Sequence, residues 1–182
     1  MIKYIVLLRG VNISGKNKIS MAELKSELKQ LKYENIITYL NSGNAIFETS
    51  IEDKKLIKEN IEKMIKEKFG FDIPIFIMIK SELEDLLNNQ PEWWGLDNKE
   101  IYNNIIFIIP PTKYEEVYYT LGKPKEGLEK VQEYKNNIFW SYNLKYYRKT
   151  NWWSKTASTN IANTITIRTA NTMKKVLELC NR

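Results

Sequence analysis

Apolar positions along this chain follow two periods, one of strands and one of helices. Tyr4-Ile-Val-Leu-Leu8 is apolar without alternation, which marks a strand buried on both faces. Arg9-Gly10 closes that run, and Gly10 and Gly15 punctuate a polar loop that ends at Ile19. Ser20-x-x-Glu23 has the spacing of a capping box, and Met21, Leu24, Leu28 and Leu31 give the next helix one apolar stripe. Ile36–Leu40 and Ala45–Phe47 flank the turn Asn41-Ser-Gly-Asn44 as the strands of a hairpin. A helix is predicted from Asp53 to Phe69, with Gly70 at its left-handed end, and then a strand from Ile73 to Ile79.

That order is strand, helix, strand, strand, helix, strand, and it predicts a ferredoxin-like βαββαβ unit with the first and third strands central. Ser81-x-x-Glu84 is expected to cap a short connecting helix before the loop Pro91-Glu-Trp-Trp-Gly95. The order then repeats: strand Tyr102–Ile109, a helix capped by Thr112-x-x-Glu115, a hairpin of Glu129–Tyr134 with Ile138–Tyr142, a helix over Ser154–Asn163, strand Ile165–Arg168 and a helix over Thr169–Leu179. The fold class expected is therefore α+β, with two ferredoxin-like subdomains related by structural duplication and sharing an interface. Residues 1–80 form the first, 81–101 the connection, and 102–182 the second with its C-terminal helix.

Composition narrows the chemistry. Histidine is absent and Cys180 is the only cysteine, which excludes His-based nucleophile activation, an internal disulfide and Cys/His metal sites. No catalytic constellation stands out, so the reading leans away from an enzyme and calls for no metal and no cofactor. No apolar run reaches the roughly 20 residues a membrane helix needs. Met1 leads into a strand within two residues, so no signal leader and a cytoplasmic location are expected. The net charge of +6 is uneven: Met1–Ala22 carries four basic residues and no acid, and Tyr134–Arg182 carries nine basic residues and one acid. A basic protein with its charge at both ends of the chain points to an anionic partner.

Gly10-Val-Asn-Ile-Ser-Gly15-Lys16-Asn17 is close to a phosphate-binding loop after a strand. Asn17 stands where a hydroxyl would hold magnesium, and the capping box starts the helix at Met21 instead of at Gly15-Lys16. A looser anion cradle is the reading that remains. The expected ligand-binding set is Arg9, Gly10, Asn12, Gly15, Lys16, Asn17, Ser42, Asn44, Arg168 and Asn171, gathered around a small phosphate- or nucleotide-like anion. The alternative is RNA or single-stranded DNA bound by the basic, aromatic C-terminal third, with Trp140, Tyr142, Tyr146, Tyr147, Arg148, Lys149, Trp152, Trp153 and Lys155. A third reading is a protein-interaction module using Trp93-Trp94 and Trp152-Trp153. Oligomeric state is left open.

The opening Tyr4-x-x-Leu-Leu-Arg-Gly-Val-Asn-x-x-Gly-x-Asn-x-Ile-x-Met21, the turn Ser42-Gly-Asn44 before Ile46-Phe47, and Thr166-Ile-Arg168-Thr-Ala-Asn171-Thr172 near the end resemble the bacterial family called domain of unknown function 1697. Thr169-Ala170 stands where the family pattern has Asn-Trp. The resemblance implies a duplicated ferredoxin-like α+β fold and supplies no activity.

Overall fold

The computed structural model describes residues 1–182. It divides into two compact units, one of Met1–Glu84 with Lys175–Arg182, the other Asp85–Lys174. The protein is mixed α+β, with two four-stranded antiparallel sheets that each carry helices, as expected of a duplicated two-subdomain fold.

In the first unit β1 (Ile2–Leu8) is flanked by β3 (Asn44–Thr49) and β4 (Ile75–Ile79), and β2 (Glu34–Tyr39) pairs with β3 at the edge. The unbroken apolar run of β1 has the expected consequence: every residue from Tyr4 to Leu8 is at most 1% exposed, so both faces are covered. On one face Tyr4, Val6 and Leu8 pack with Leu24 and Leu28 of α1 (Met21–Gln30) and with Ile57, Ile61 and Ile65 of α2 (Lys54–Phe69). Ser20 caps α1 by accepting from Glu23 N at 3.4 Å. Asp53 caps α2 by accepting from Lys55 N at 2.8 Å, and Gly70 ends that helix at φ 75°. β4 runs straight into α3 (Lys80–Asn88). Here the expected Ser81 cap is replaced: Glu82 accepts from Ile79 N at 2.9 Å, so the helix begins at Lys80, two residues earlier than a Ser81 cap would place it.

The second unit repeats the order. β5 (Ile101–Ile108) lies between β7 (Asn137–Asn143) and β8 (Ile165–Thr169), with β6 (Glu129–Tyr134) at the edge beside β7. Ile106, Ile108, Ile138, Trp140 and Tyr142 pack on Val117 and Leu121 of α4 (Tyr114–Leu121) and on Trp152 of α5 (Trp152–Ser158). α4 starts one residue later than expected, because Glu116 rather than Glu115 takes the N-terminal N–H, from Lys113 at 2.9 Å. The helix expected over Ser154–Asn163 is shorter and earlier, with a 3₁₀ turn over Asn160–Thr164 after it. A second 3₁₀ segment, Leu144–Lys149, opens where Asn143 accepts from Lys145 N at 2.8 Å. α6 (Ala170–Cys180) follows β8 without a loop. No helix is long and apolar enough to cross a membrane.

Candidate functional site

The β1–α1 loop is a tightly tied structure. Asn12 lies at φ 55°, and its Nδ2 donates to Ile19 O at 2.9 Å and to Asn41 O at 2.7 Å while its Oδ1 accepts from Ile19 N at 2.9 Å. Asn17 Nδ2 donates to Gly10 O at 3.0 Å. Ser14 and Gly15, both at positive φ, turn a small hairpin in which Lys16 N donates to Ile13 O at 2.9 Å. The asparagines are thus engaged in loop closure, the commonest work of Asn in turns. Lys16 and Lys18 are exposed, and Arg9 is half-buried with its N–H on Pro74 O at 3.1 Å. The helix begins at Met21, away from Gly15-Lys16, so the loop lacks the helix terminus of a nucleotide-binding loop.

The Ser42–Asn44 turn abuts this loop. Leu8 N donates to Gly43 O at 2.8 Å, and a Cβ built on Gly43 would lie 2.7 Å from both Leu8 Cβ and Val11 Cγ2. Asn44, 1% exposed, donates from Nδ2 to Tyr39 O at 2.7 Å and to Ser42 Oγ at 3.1 Å. Asn12, Asn17, Ser42 and Asn44 are therefore brought together as the frame that joins two loops of the first unit.

Arg168 and Asn171 belong to the second unit. Arg168, 7% exposed, sits in β8 opposite Ile105 and donates to Thr166 Oγ1 at 2.8 Å and Ile167 O at 2.9 Å. Burial pushes its guanidinium down to about 10. Asn171 is exposed in the first turn of α6 and lines a cleft of about 370 Å³. The walls are the loop Gly95–Lys99, the start of β5 at Ile101–Asn103, and the β8–α6 junction with Lys174.

Each wall of the cleft is held by contacts the sequence alone did not disclose. Trp94 is fully buried, donates from Nε1 to Asn104 O at 2.8 Å and meets Phe139 edge-on at 5.0 Å, which fixes the start of the loop. Lys174 Nζ donates to Gly95 O at 3.0 Å and lies 5.9 Å from the Trp94 ring centre. Thr169 caps α6, its Oγ1 accepting from Thr172 N at 3.2 Å. Asn103, 9% exposed, accepts from Ser141 Oγ through Oδ1 and lines the cleft. Lys99 and Lys174 supply positive charge, Asp97 one negative charge, and α6 presents the positive end of its dipole. Of the residues expected to bind a ligand, Asn171 alone lines this cleft. Lys99 and Asn103 belong to no sequence motif, and Lys174 lies far from both along the chain, so the sequence does not single them out as lining a common cleft.

The aromatic C-terminal third divides by face. Trp140, Tyr142 and Trp152 are core, the first two on the same face of β7 as Ile138. Burial pushes the Tyr142 phenol up to about 12. Each tryptophan pair also splits: Trp94 and Trp152 are fully buried, Trp93 is half-buried and Trp153 is 39% exposed. The remaining Tyr146, Tyr147 and Trp153 share the surface with Lys145, Arg148 and Lys149.

The comparisons with known proteins fit this picture. No curated protein matches the sequence. The structure of the conserved bacterial protein SP0830 from Streptococcus pneumoniae is similar over 98% of both chains, at 31% sequence identity and a TM-score of 0.85. The pattern of the family described as Protein of unknown function (DUF1697) matches residues 1–139. The chain belongs to that family.

Proposed function

We propose that the protein binds a small anionic ligand, phosphate- or nucleotide-like, in the cleft of its second unit. One observation carries this reading: the first turn of α6, Asn103, Lys99 and Lys174 line one concavity of about 370 Å³. Helix N-termini attract anions through N–H groups without an intrahelical partner, and a concave site with a few convergent polar groups is the usual form of a small-ligand pocket. Tyr102, 38% exposed, lines the same wall and adds an aromatic residue suited to a nucleotide base. The site carries donors and cations without a nucleophile–base pair, so the reading is binding, with a cytoplasmic ligand pool as its expected source. Exposed Lys16 and Lys18 make the β1–α1 loop the weaker candidate, since its asparagines already close the loop.

We also read each unit as ferredoxin-like. The sheet orders β2-β3-β1-β4 and β6-β7-β5-β8, antiparallel throughout, support that reading.

Isothermal titration with inorganic phosphate and with a nucleoside monophosphate at low salt tests the binding. Lys99→Gln is expected to weaken affinity about 2- to 10-fold, the range for an exposed to partly desolvated charge contact. Absence of binding, or binding unchanged in Lys99→Gln and Asn171→Ala, overturns the proposal.

A further inference from the structure

A second surface of the same unit bears the marks of a polyanion track. It is the 3₁₀ segment Leu144–Lys149 with the start of α5. Three consecutive features distinguish it from an ordinary basic loop.

The first is charge without compensation. Lys145, Arg148 and Lys149 are exposed and make no ion pair, whereas Lys135 in the same unit pairs with Asp85 at 2.8 Å. From Tyr134 to Lys174 the chain contains no acidic residue, so no neighbour in sequence neutralises the three cations. The second is interleaving with rings. Lys145 and Lys149 lie 5.5 and 5.4 Å from the Tyr146 ring centre, and the Arg148 guanidinium lies 5.4 Å from that of Tyr147. Trp153 meets Tyr147 edge-on at 4.6 Å and stays 39% exposed. Arg148 Nε also donates to Tyr147 Oη at 2.8 Å, which holds ring and guanidinium side by side.

The third is rigidity. Leu144 N donates to Glu100 O at 2.8 Å, and Thr150 donates from N and Oγ1 to Tyr147 O at 3.2 and 2.8 Å. Just beyond, the buried Glu129 carboxylate accepts from Asn151 N at 2.6 Å, and Trp152 Nε1 donates to Gly122 O at 2.7 Å. The strip is therefore fixed at both ends before any partner arrives, which lowers the entropic cost of binding.

We propose that this strip binds single-stranded nucleic acid, with Lys145, Arg148 and Lys149 on phosphates and Trp153 and the Tyr147 edge against bases. Backbone charge alternating with π-faces is the chemistry such a surface matches, and it is sequence-tolerant because every base has a ring face. A purely acidic protein partner would use the cations and leave the rings idle. The proposal goes beyond the small-ligand reading and does not depend on it.

The test is fluorescence anisotropy with labelled oligouridine and oligothymidine of roughly 10 nucleotides, within the span of one binding module. Binding of either strand supports the proposal. Three phosphate contacts predict a log–log salt slope of about −2, a loss of roughly 20-fold between 50 and 200 mM salt. Arg148→Gln and Lys149→Gln each lower that slope by about 0.7. Trp153→Ala weakens binding at least about 5-fold, the lower end for a stacked base. Lys63→Gln, which removes an exposed cation of α2 in the first unit, serves as the control and leaves strand binding unchanged. The proposal is overturned if neither oligonucleotide binds at low salt, if polyphosphate of equal charge binds as tightly, or if the Arg148, Lys149 and Trp153 variants bind as the parent does.

Discussion

Replacing Glu129 by Gln probes the buried carboxylate that ties the second unit's surface segment to its core. Glu129 is 6% exposed, and its two oxygens accept four N–H groups: Lys125 N at 2.9 Å and Asn151 N at 2.6 Å on Oε1, Trp140 Nε1 at 3.1 Å and Trp152 N at 3.4 Å on Oε2. Gln keeps one acceptor oxygen and turns an NH₂ toward the donors on the other side. Two N–H groups then lose their acceptor, each at about 1–3 kcal/mol. Removing a buried charge offsets part of that loss, so the net destabilisation expected is about 2–4 kcal/mol. For a chain of this size it corresponds to a fall in melting temperature of roughly 5–15 °C. Thermal unfolding followed by near-ultraviolet circular dichroism measures it, since Trp140 and Trp152 report the surroundings of the lost bonds. Hydrogen exchange should locate the loosening at Asn151 and Trp152. A melting temperature within about 2 °C of the parent would refute the clamp.

Other consequences are equally specific. Gly43→Ala combines a positive φ of 77° with a Cβ 2.7 Å from Leu8 Cβ and Val11 Cγ2. The strain and overpacking together predict a loss of about 2–5 kcal/mol in urea unfolding, and a loss below about 0.5 kcal/mol would contradict the packing. Burial pushes the Cys180 thiol up to about 11 from its ordinary 9.0. At pH 8 the native thiolate fraction is then about 100-fold below that of the unfolded chain, so disulfide reagents should react rapidly only after denaturation. The same shift makes stability fall as pH rises from 9 towards 11, because the unfolded chain releases that proton first, at about 1.4 kcal/mol per pH unit. Cys180→Ala should flatten the slope between pH 9 and 10, and an identical slope in the variant would rule the thiol out as its source.

The fold was legible wherever one local pattern decided the outcome. The unbroken run Tyr4–Leu8 announced a strand covered on both faces, and Asp53 and Gly70 bounded α2 because caps are local hydrogen bonds. Boundaries slipped where two residues competed for one cap, as with Glu115 and Glu116 before α4, and Ser81 and Glu82 at α3. The 3₁₀ turn at Leu144–Lys149 has no apolar period of its own, and Leu144 N is held by Glu100 O, a partner remote in the sequence. The site followed the same logic. Glycine and asparagine in the β1–α1 loop have the residue types of an anion cradle and equally those of a closed loop, and in the structure Asn12 bonds Ile19 and Asn41. The cleft joins Lys99, Asn103 and Lys174 through tertiary contacts, above all Lys174 on Gly95, and no motif encodes such a meeting. The aromatic third divides between core and surface, since β7 buries Trp140 and Tyr142 while Trp153 of α5 remains 39% exposed.

The most direct test of the anion-binding account is a titration of the ¹⁵N-labelled protein with inorganic phosphate, followed by amide chemical shifts at constant ionic strength. The account predicts saturable shifts at the backbone N–H groups of Ala170 and Asn171 and at the Asn103 side-chain amide, with the β1–α1 loop little changed. Saturable shifts confined to the loop from Gly10 to Lys18, or none anywhere, would contradict it.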